Sequence, residues 1–149
     1  MNFVNRTNLI SEILTRLKNR ENNARQLLKL KQEQIVFADG PNESRGISAT
    51  RFALDNEITM AENELKRLTD ITREIELIKK MKNNKIKVVK VGTGVTVEIN
   101  KKQQTFLITK KAEDIQNHML PISVSLGEKL LNHREGDIIE DKVKIVSIM

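Results

Sequence analysis

The stretch LDNEITMAENELKRLTDITREIELI, residues 54–78, decides the fold. Its apolar residues follow one another at steps of 4, 3, 4, 3, 3, 4 and 3, the spacing of a coiled-coil seam with one irregularity. No proline interrupts the stretch, so it predicts one long helix with a single apolar seam. The seam residues are Leu54, Ile58, Ala61, Leu65, Leu68, Ile71, Ile75 and Ile78.

A second apolar stripe precedes this one and predicts another long helix. Each helix is expected to hold about 30–35 residues, or roughly 45–50 Å at 1.5 Å per residue. The segment FADGPNESRG, residues 37–46, ends the first helix, and Asn42 or Ser44 can cap the second. Such a short connection predicts an antiparallel helical hairpin. The first stripe comprises Leu9, Ile10, Ile13, Leu14, Leu17, Ala24, Leu27, Leu28 and Ile35.

The apolar period changes near residue 84, and the rest of the chain reads as short strands. We predict a small antiparallel sheet with one short helix over 84–149, and a coiled-coil hairpin with its tip near 38–46 over 1–83. The fold class is therefore α+β. The predicted strands are 86–91, 95–99, 105–109 and 143–148, with an extended piece at 121–124, a helix at 126–131 and a tight turn at 135–137.

Composition excludes several classes of protein. Apolar residues make up 38% and charged residues 31% of the 149 residues, and no run approaches the ~18 apolar residues of a spanning helix. Cysteine is absent, which excludes disulfides and thiolate catalysis. His118 and His133 have no acidic or hydroxyl partner at catalytic spacing, so we expect ordinary surface or core residues. The N-terminal sequence has no export signal, and we expect a cytoplasmic protein without a membrane partner.

The net charge of +6 is spread over the chain. Residues 1–83 carry 15 Lys and Arg against 12 Asp and Glu, and residues 84–149 carry 11 against 8, so each half is +3. Trp and Tyr are absent, which removes a stacking platform for single strands. We interpret the basic residues as interleaved with acids, which favours a protein that works beside nucleic acid or on an acidic protein surface.

The predicted hairpin loop is acidic. Between Lys31 and Arg45 there is no basic residue, and the interval holds Glu33, Asp39 and Glu43. Carboxylates are suitable ligands for Mg²⁺, which takes only one or two from a protein, so Asp39 and Glu43 are candidate ligands in a site supplied mostly by a partner. The alternative is an ordinary loop, because Asp, Gly, Pro and Asn are common between helices.

The order of these parts resembles the Gre family of bacterial transcript cleavage factors, GreA and GreB. The segment ISVSLGEKLLNHREGD, residues 122–137, is similar to a stretch of that family's C-terminal domain, and Val95-Thr-Val97 to its early strand. Glu43 and Arg51 have the spacing of the family's tip glutamate and the arginine eight residues later. The resemblance covers essentially the whole chain.

This resemblance implies an FKBP-like sheet domain that docks on bacterial RNA polymerase and a coiled coil that runs down the polymerase secondary channel. Asp39 and Glu43 would help to hold a Mg²⁺ jointly with the polymerase, with Asn42, Ser44 and Arg51 supporting the tip. The factor would stimulate cleavage of nascent RNA in backtracked complexes, close to RNA and DNA, and rescue arrested elongation. It would have no cofactor of its own and would not be an enzyme by itself.

The sequence also departs from the family pattern and leaves alternatives open. Asp39 lies four residues before Glu43, where the family has three, Ser44 stands at the family's asparagine, and Leu126 lies near its proline. One alternative is a secondary-channel regulator or inhibitor without cleavage activity. Another is a coiled-coil chaperone or adaptor, although prefoldin-like proteins place their strands between the two helices.

Overall fold

A computed structural model describes residues 5–38, 45–82 and 87–149. Two long helices come first, α1 (Arg6–Ala38, 33 residues) and α2 (Arg45–Lys80, 36 residues), and a five-stranded mixed sheet follows. This order confirms the predicted α+β class, with an N-terminal two-helix coiled coil before a β-rich domain.

The chain divides into two compact units. The hairpin unit is Leu17–Asp70, and the sheet unit joins Met1–Arg16 to Ile71–Met149. The sheet unit therefore contains one end of each long helix in addition to the strands. The domain boundary between 83 and 84, drawn from the change of apolar period, stays a prediction.

Within the hairpin unit, ion pairs join the two helices in antiparallel order. Arg20 Nη2 lies 3.7 Å from Glu64 Oε1, and Lys31 Nζ lies 2.8 Å from Glu57 Oε2. A residue further along α1 thus pairs with a residue earlier in α2, as in a hairpin. The apolar seam between the helices includes Ala61 and Leu68 on its α2 side, both buried.

The α1 side of the seam differs from the predicted stripe. Leu27 is 49% exposed, whereas Glu21 is buried and Lys31 is half-buried. With those two residues included, the seam positions 17, 21, 24, 28, 31 and 35 alternate steps of 4 and 3 without a break. The prediction for Leu27 was wrong because it considered apolar residues alone, whereas two charged residues occupy positions of the heptad seam. One of them, Glu21, has its Oε2 3.5 Å from Arg25 Nη2.

Replacing Leu68 by Ala is expected to destabilise the hairpin unit by about 2 kcal/mol, the low end for a buried leucine, since two helices can partly close the cavity. Leu68 is 1% exposed. Met60→Ala is the matched control on the same helix, because Met60 is 71% exposed and its truncation should change stability by less than ~0.5 kcal/mol. Urea unfolding followed by helical circular dichroism measures both. Equal midpoints would contradict the seam assignment.

The sheet has the strand order β3-β2-β1-β5-β4, with β1 as its central strand. β1 and β2 form the predicted hairpin, and their two-residue turn, Asn100 and Lys101, has positive φ at both positions. The strands are β1 (Gly94–Ile99), β2 (Lys102–Thr109), β3 (Met119–Pro121), β4 (Ile138–Ile139) and β5 (Val143–Ile148).

Two strand predictions were wrong. The sheet is not wholly antiparallel, because β3 pairs parallel to β2 after a connection that contains a 3₁₀ turn, Ile115–Asn117, in place of a hairpin. In the predicted strand 86–91, the described residues 87–91 make only one bridge, Val88 to Arg134. The backbone there pairs with the loop after the short helix, since Val89 N–H donates to His133 O and Asn132 N–H donates to Val89 O.

The short helix α3 (Ser125–Leu130) confirms the predicted turn or two of helix and covers one face of the sheet. Leu130 of α3 is fully buried in the core with Val95, Val97, Phe106 and Ile145 from the three central strands. Gly127 lies directly against the backbone of Pro121, so this helix packs at a distance that only a residue without Cβ allows. The predicted tight turn at 135–137 also forms, with Gly136 at φ +87.

Candidate functional site

Four of the predicted tip residues, Asp39, Asn42, Glu43 and Ser44, lie outside the described residues. The fifth, Arg51, is an exposed residue of α2, and its Nε lies 3.9 Å from Asp55 Oδ2 one turn along. The proposed roles of all five stay predictions. Among residues 5–38, 45–82 and 87–149 there is no cluster of three or more His, Asp or Glu side chains that could hold a metal. The magnesium hypothesis therefore depends on Asp39 and Glu43.

The described residues next to this loop strengthen its acidic character. Lys31, the last cation of α1, is ion-paired with Glu57, and Arg51 has Asp55 beside it. Glu33 is exposed on α1. Lys31 and Arg51 therefore each have an acid of the helices beside them.

In the sheet unit, Arg6 holds three segments of chain together. Its Nε donates to Gly92 O at 2.6 Å, and its Nη2 donates to Ile78 O at the C-terminal end of α2. Arg6 is only 8% exposed, and burial lowers the pKa of its guanidinium. Sequence reasoning missed this residue, because its partners are 72 and 86 positions away.

Glu74 fastens α2 to the loop after β2. Its carboxylate accepts the backbone N–H groups of Lys110, Lys111 and Ala112 at 3.1, 2.8 and 3.1 Å. A carboxylate that accepts several N–H groups makes strong, charge-assisted bonds. The sequence offered no sign of this role, since Glu74 reads as one more charge on a solvated helix face.

Glu74→Ala is expected to lower stability by about 1.5–3 kcal/mol, because three N–H groups lose a charged acceptor at once. Glu76→Ala is the matched control: it removes the same side chain two residues later, and Glu76 has no hydrogen bond or ion pair within the described part of the chain. Thermal melting of the two variants compares them directly. A loss from Glu76→Ala as large as that from Glu74→Ala would show that helix propensity, and not this contact, is responsible.

His133, expected to lack an acidic partner, has one. Its Nδ1 lies 3.1 Å from Asp137 Oδ2, and the same oxygen accepts the backbone N–H of Arg134 at 2.9 Å. The backbone hydrogen bond from Arg134, followed by the side-chain bond to His133, lowers the pKa of Asp137. His118 differs, since its Nδ1 lies 2.8 Å from a backbone oxygen, Thr105 O.

The lowered pKa of Asp137 predicts an acid-dependent contribution to stability. A carboxylate whose folded pKa lies below its unfolded value of about 3.9 stabilises the fold above that value, and the contribution is lost as pH falls through the folded pKa. Asp137→Asn is expected to melt lower than the parent at pH 7, and the difference should shrink as the pH falls below about 3.9. A difference that stays constant as the pH falls below that value would contradict this assignment.

Comparisons with known proteins were made against family models, curated sequences and solved structures. No family model and no curated protein matches the chain. Solved structures of Gfh1 are similar to it. GreA factor homolog 1 (Gfh1) of Thermus thermophilus has 17% identity and a TM-score of 0.39 over 97% of this chain and 94% of that one.

Two further structures give similar values. One is described as the transcription factor Gfh1, with 16% identity and a TM-score of 0.38 over 92% of this chain and 93% of that one. The other is Gfh1 of Thermus aquaticus, with 15% identity and a TM-score of 0.37 over 90% and 92%.

A run of lysines contradicts the interpretation that basic residues are interleaved with acids throughout. Residues 77–97 contain six lysines and no Asp or Glu. Lys87 Nζ lies 3.7 Å from Glu135 Oε1, whereas no ion pair to another described residue is made by Lys79, Lys80, Lys82 or Lys90. Separately, none of the helices in the described ranges combines the length and apolarity needed to cross a bilayer.

Proposed function

We propose that this chain is a Gre-like transcription elongation factor that binds bacterial RNA polymerase in its secondary channel and stimulates cleavage of nascent RNA in backtracked complexes. The observation that carries the proposal is a two-helix hairpin, built from helices of 33 and 36 residues, whose connecting interval from Lys31 to Arg45 contains acids and no further base. Two long helices joined by a short connection suit delivery of that connection into another protein.

The proposed chemistry belongs to the polymerase. In a two-metal site, metal ions stabilise the attacking and leaving oxygens of the displacement, and a carboxylate from outside can complete the coordination of the more weakly held ion. Asp39 and Glu43 are the proposed donors, and the factor needs no cofactor of its own. The protein is thus an accessory factor, close to RNA and DNA, and the proposed partner implies a cytoplasmic location.

The sheet unit is the proposed anchor on the polymerase. The Arg6 and Glu74 contacts join the ends of both helices to the turn before β1 and the loop after β2 within this unit. These contacts support the role of an anchor, because a binding surface needs rigid elements beneath it.

A second candidate function is a secondary-channel regulator or inhibitor that does not stimulate cleavage. It is favoured by the spacing of Asp39 and Glu43, four residues where the Gre pattern has three, and by Ser44 at the asparagine position. Both candidates predict binding to polymerase, and they differ in the fate of the RNA.

The experiment is co-elution of the purified chain with bacterial core RNA polymerase, followed by addition to a stalled, backtracked elongation complex with labelled RNA. Release of a 3′ RNA fragment faster than by polymerase alone supports the elongation-factor proposal. Binding that slows nucleotide addition and releases no fragment supports the regulator. A chain that does not co-elute overturns both and returns the coiled-coil adaptor to consideration.

A further inference from the structure

We propose that the sheet unit contains a pocket for a small organic anion that combines a phosphate group with an apolar body. The pocket has a volume of about 390 Å³, within the usual range of small-molecule sites. It lies between the C-terminal end of α2 and the turn that precedes β1. Its walls include three cations, Arg6, Lys82 and Lys90, and three apolar side chains, Met81, Val91 and Leu131.

The charge around this pocket is of one sign. None of the described side chains that line it is acidic, and the stretch 77–97, which supplies Lys82 and Lys90, holds no Asp or Glu at all. Some basic residues of the sheet unit have acidic partners, for example Lys129 with Glu140 at 3.0 Å, whereas Lys142 and Lys144 make no ion pair with a described residue. Neither Lys82 nor Lys90 makes an ion pair with any described residue, so a bound anion would supply the missing counter-charge.

The backbone that carries Lys90 is fixed before any ligand binds. Thr93 Oγ1 donates to Lys90 O at 2.7 Å and lies 3.2 Å from Lys90 N, which closes a tight turn. Gly92 adopts φ +94 in this turn, and an added Cβ there would lie 2.9 Å from Met81 Sδ. Arg6 joins Gly92 O to Ile78 O and so ties the turn to the end of α2. Preorganised walls reduce the cost of ordering on binding.

The C-terminal end of a helix repels anions, and this structure counteracts that effect. The carbonyl of Ile78, in the last turn of α2, accepts a hydrogen bond from the Arg6 guanidinium. Lys79 and Lys80 add two cations in the same turn. Positive charge at this position offsets the helix dipole and so reduces its repulsion of an anion beside Lys82.

The apolar walls decide the class of anion. Inorganic phosphate would leave Met81, Val91 and Leu131 in contact with water, whereas an organic phosphate can bury its body against them. Binding of an anion to this pocket does not involve RNA polymerase, so the binding test is independent of the proposed function.

The test is a titration of the ¹⁵N-labelled full chain with 1-naphthyl phosphate, followed by amide NMR shifts. Saturable shifts are expected at Gly92, Thr93 and Leu131, with a Kd at least tenfold lower than that for inorganic phosphate or for neutral 2-naphthol. Failure to saturate by 10 mM would overturn the pocket. Shifts confined to other parts of the chain, or equal affinity for inorganic phosphate, would also overturn it.

A matched pair of double variants separates this pocket from general attraction to a basic protein. The double variant Lys82→Gln with Lys90→Gln is expected to raise the Kd for 1-naphthyl phosphate at least tenfold. Lys142→Gln with Lys144→Gln removes the same charge from two exposed lysines of the same unit that do not line the pocket, and should change Kd less than twofold. Equal weakening by both pairs would overturn the proposal.

Discussion

Glu43→Gln is expected to slow cleavage of backtracked RNA roughly 30- to 1000-fold relative to the parent chain, with an unchanged melting temperature. Loss of a ligand to a metal that stabilises the transition state costs on the order of 2–4 kcal/mol in the barrier, which converts to that range of rates. The same change in a loop that is expected to be exposed should alter stability by less than ~0.5 kcal/mol. Single-turnover cleavage with varied Mg²⁺ measures the first quantity, and thermal melting the second.

Asp39→Asn should act in the same direction with a smaller effect, because its spacing departs from the Gre pattern. The matched control is Glu33→Gln, which neutralises an exposed acid on α1 that is not a proposed ligand. All three variants should bind polymerase like the parent chain. Parental cleavage rates from both tip variants would refute the carboxylate mechanism and favour the regulator.

Gly127→Ala is expected to destabilise the sheet unit by about 3 kcal/mol or more. An added Cβ would overlap the backbone carbonyl of Pro121, and neither β3 nor α3 can move away without disturbing the core around Leu130. Because the clash is with backbone, no side-chain rotation relieves it. Urea unfolding with a probe in the sheet unit gives the value.

Two controls separate this clash from other effects of alanine. Glu128→Ala changes the next, exposed residue of α3 and should stay within ~0.5 kcal/mol. Gly136→Ala has nothing within 4 Å of the new Cβ but sits at φ +87, so its cost of about 1–2 kcal/mol is conformational. If Gly127→Ala costs no more than Gly136→Ala, close packing against Pro121 is not what requires glycine.

The helices and the first hairpin were predictable because the forces that specify them are local. The 3- and 4-residue steps from Leu54 to Ile78 define one helix face, and Asn100 and Lys101 fit a two-residue turn. Local sequence patterns did not predict the elements whose pairing depends on contacts between distant parts of the chain. The three residues of β3 are too few to show a period, and their parallel pairing depends on where the chain returns after β2.

The candidate sites show the same division. The acidic character of the loop could be predicted from the sequence, since no Lys or Arg lies between Lys31 and Arg45. The roles of Arg6 and Glu74 could not be predicted from the sequence, because each side chain bonds to backbone groups far away along the chain. Charged residues at seam positions, such as Glu21, were hidden for another reason: a search for apolar spacing passes over them.

The division of the chain into units has a consequence for the order in which the protein folds during synthesis. The hairpin unit is one continuous segment, Leu17–Asp70, and all of its contacts are available once that segment has left the ribosome. The sheet unit gathers segments from both sides of it, and its central strand β1, which pairs first with β2, lacks its second neighbour until β5, Val143–Ile148, has been made. Arg6 is synthesised 86 residues before its hydrogen-bond partner Gly92. The growing chain can therefore carry a formed hairpin unit for some time before the sheet unit is complete.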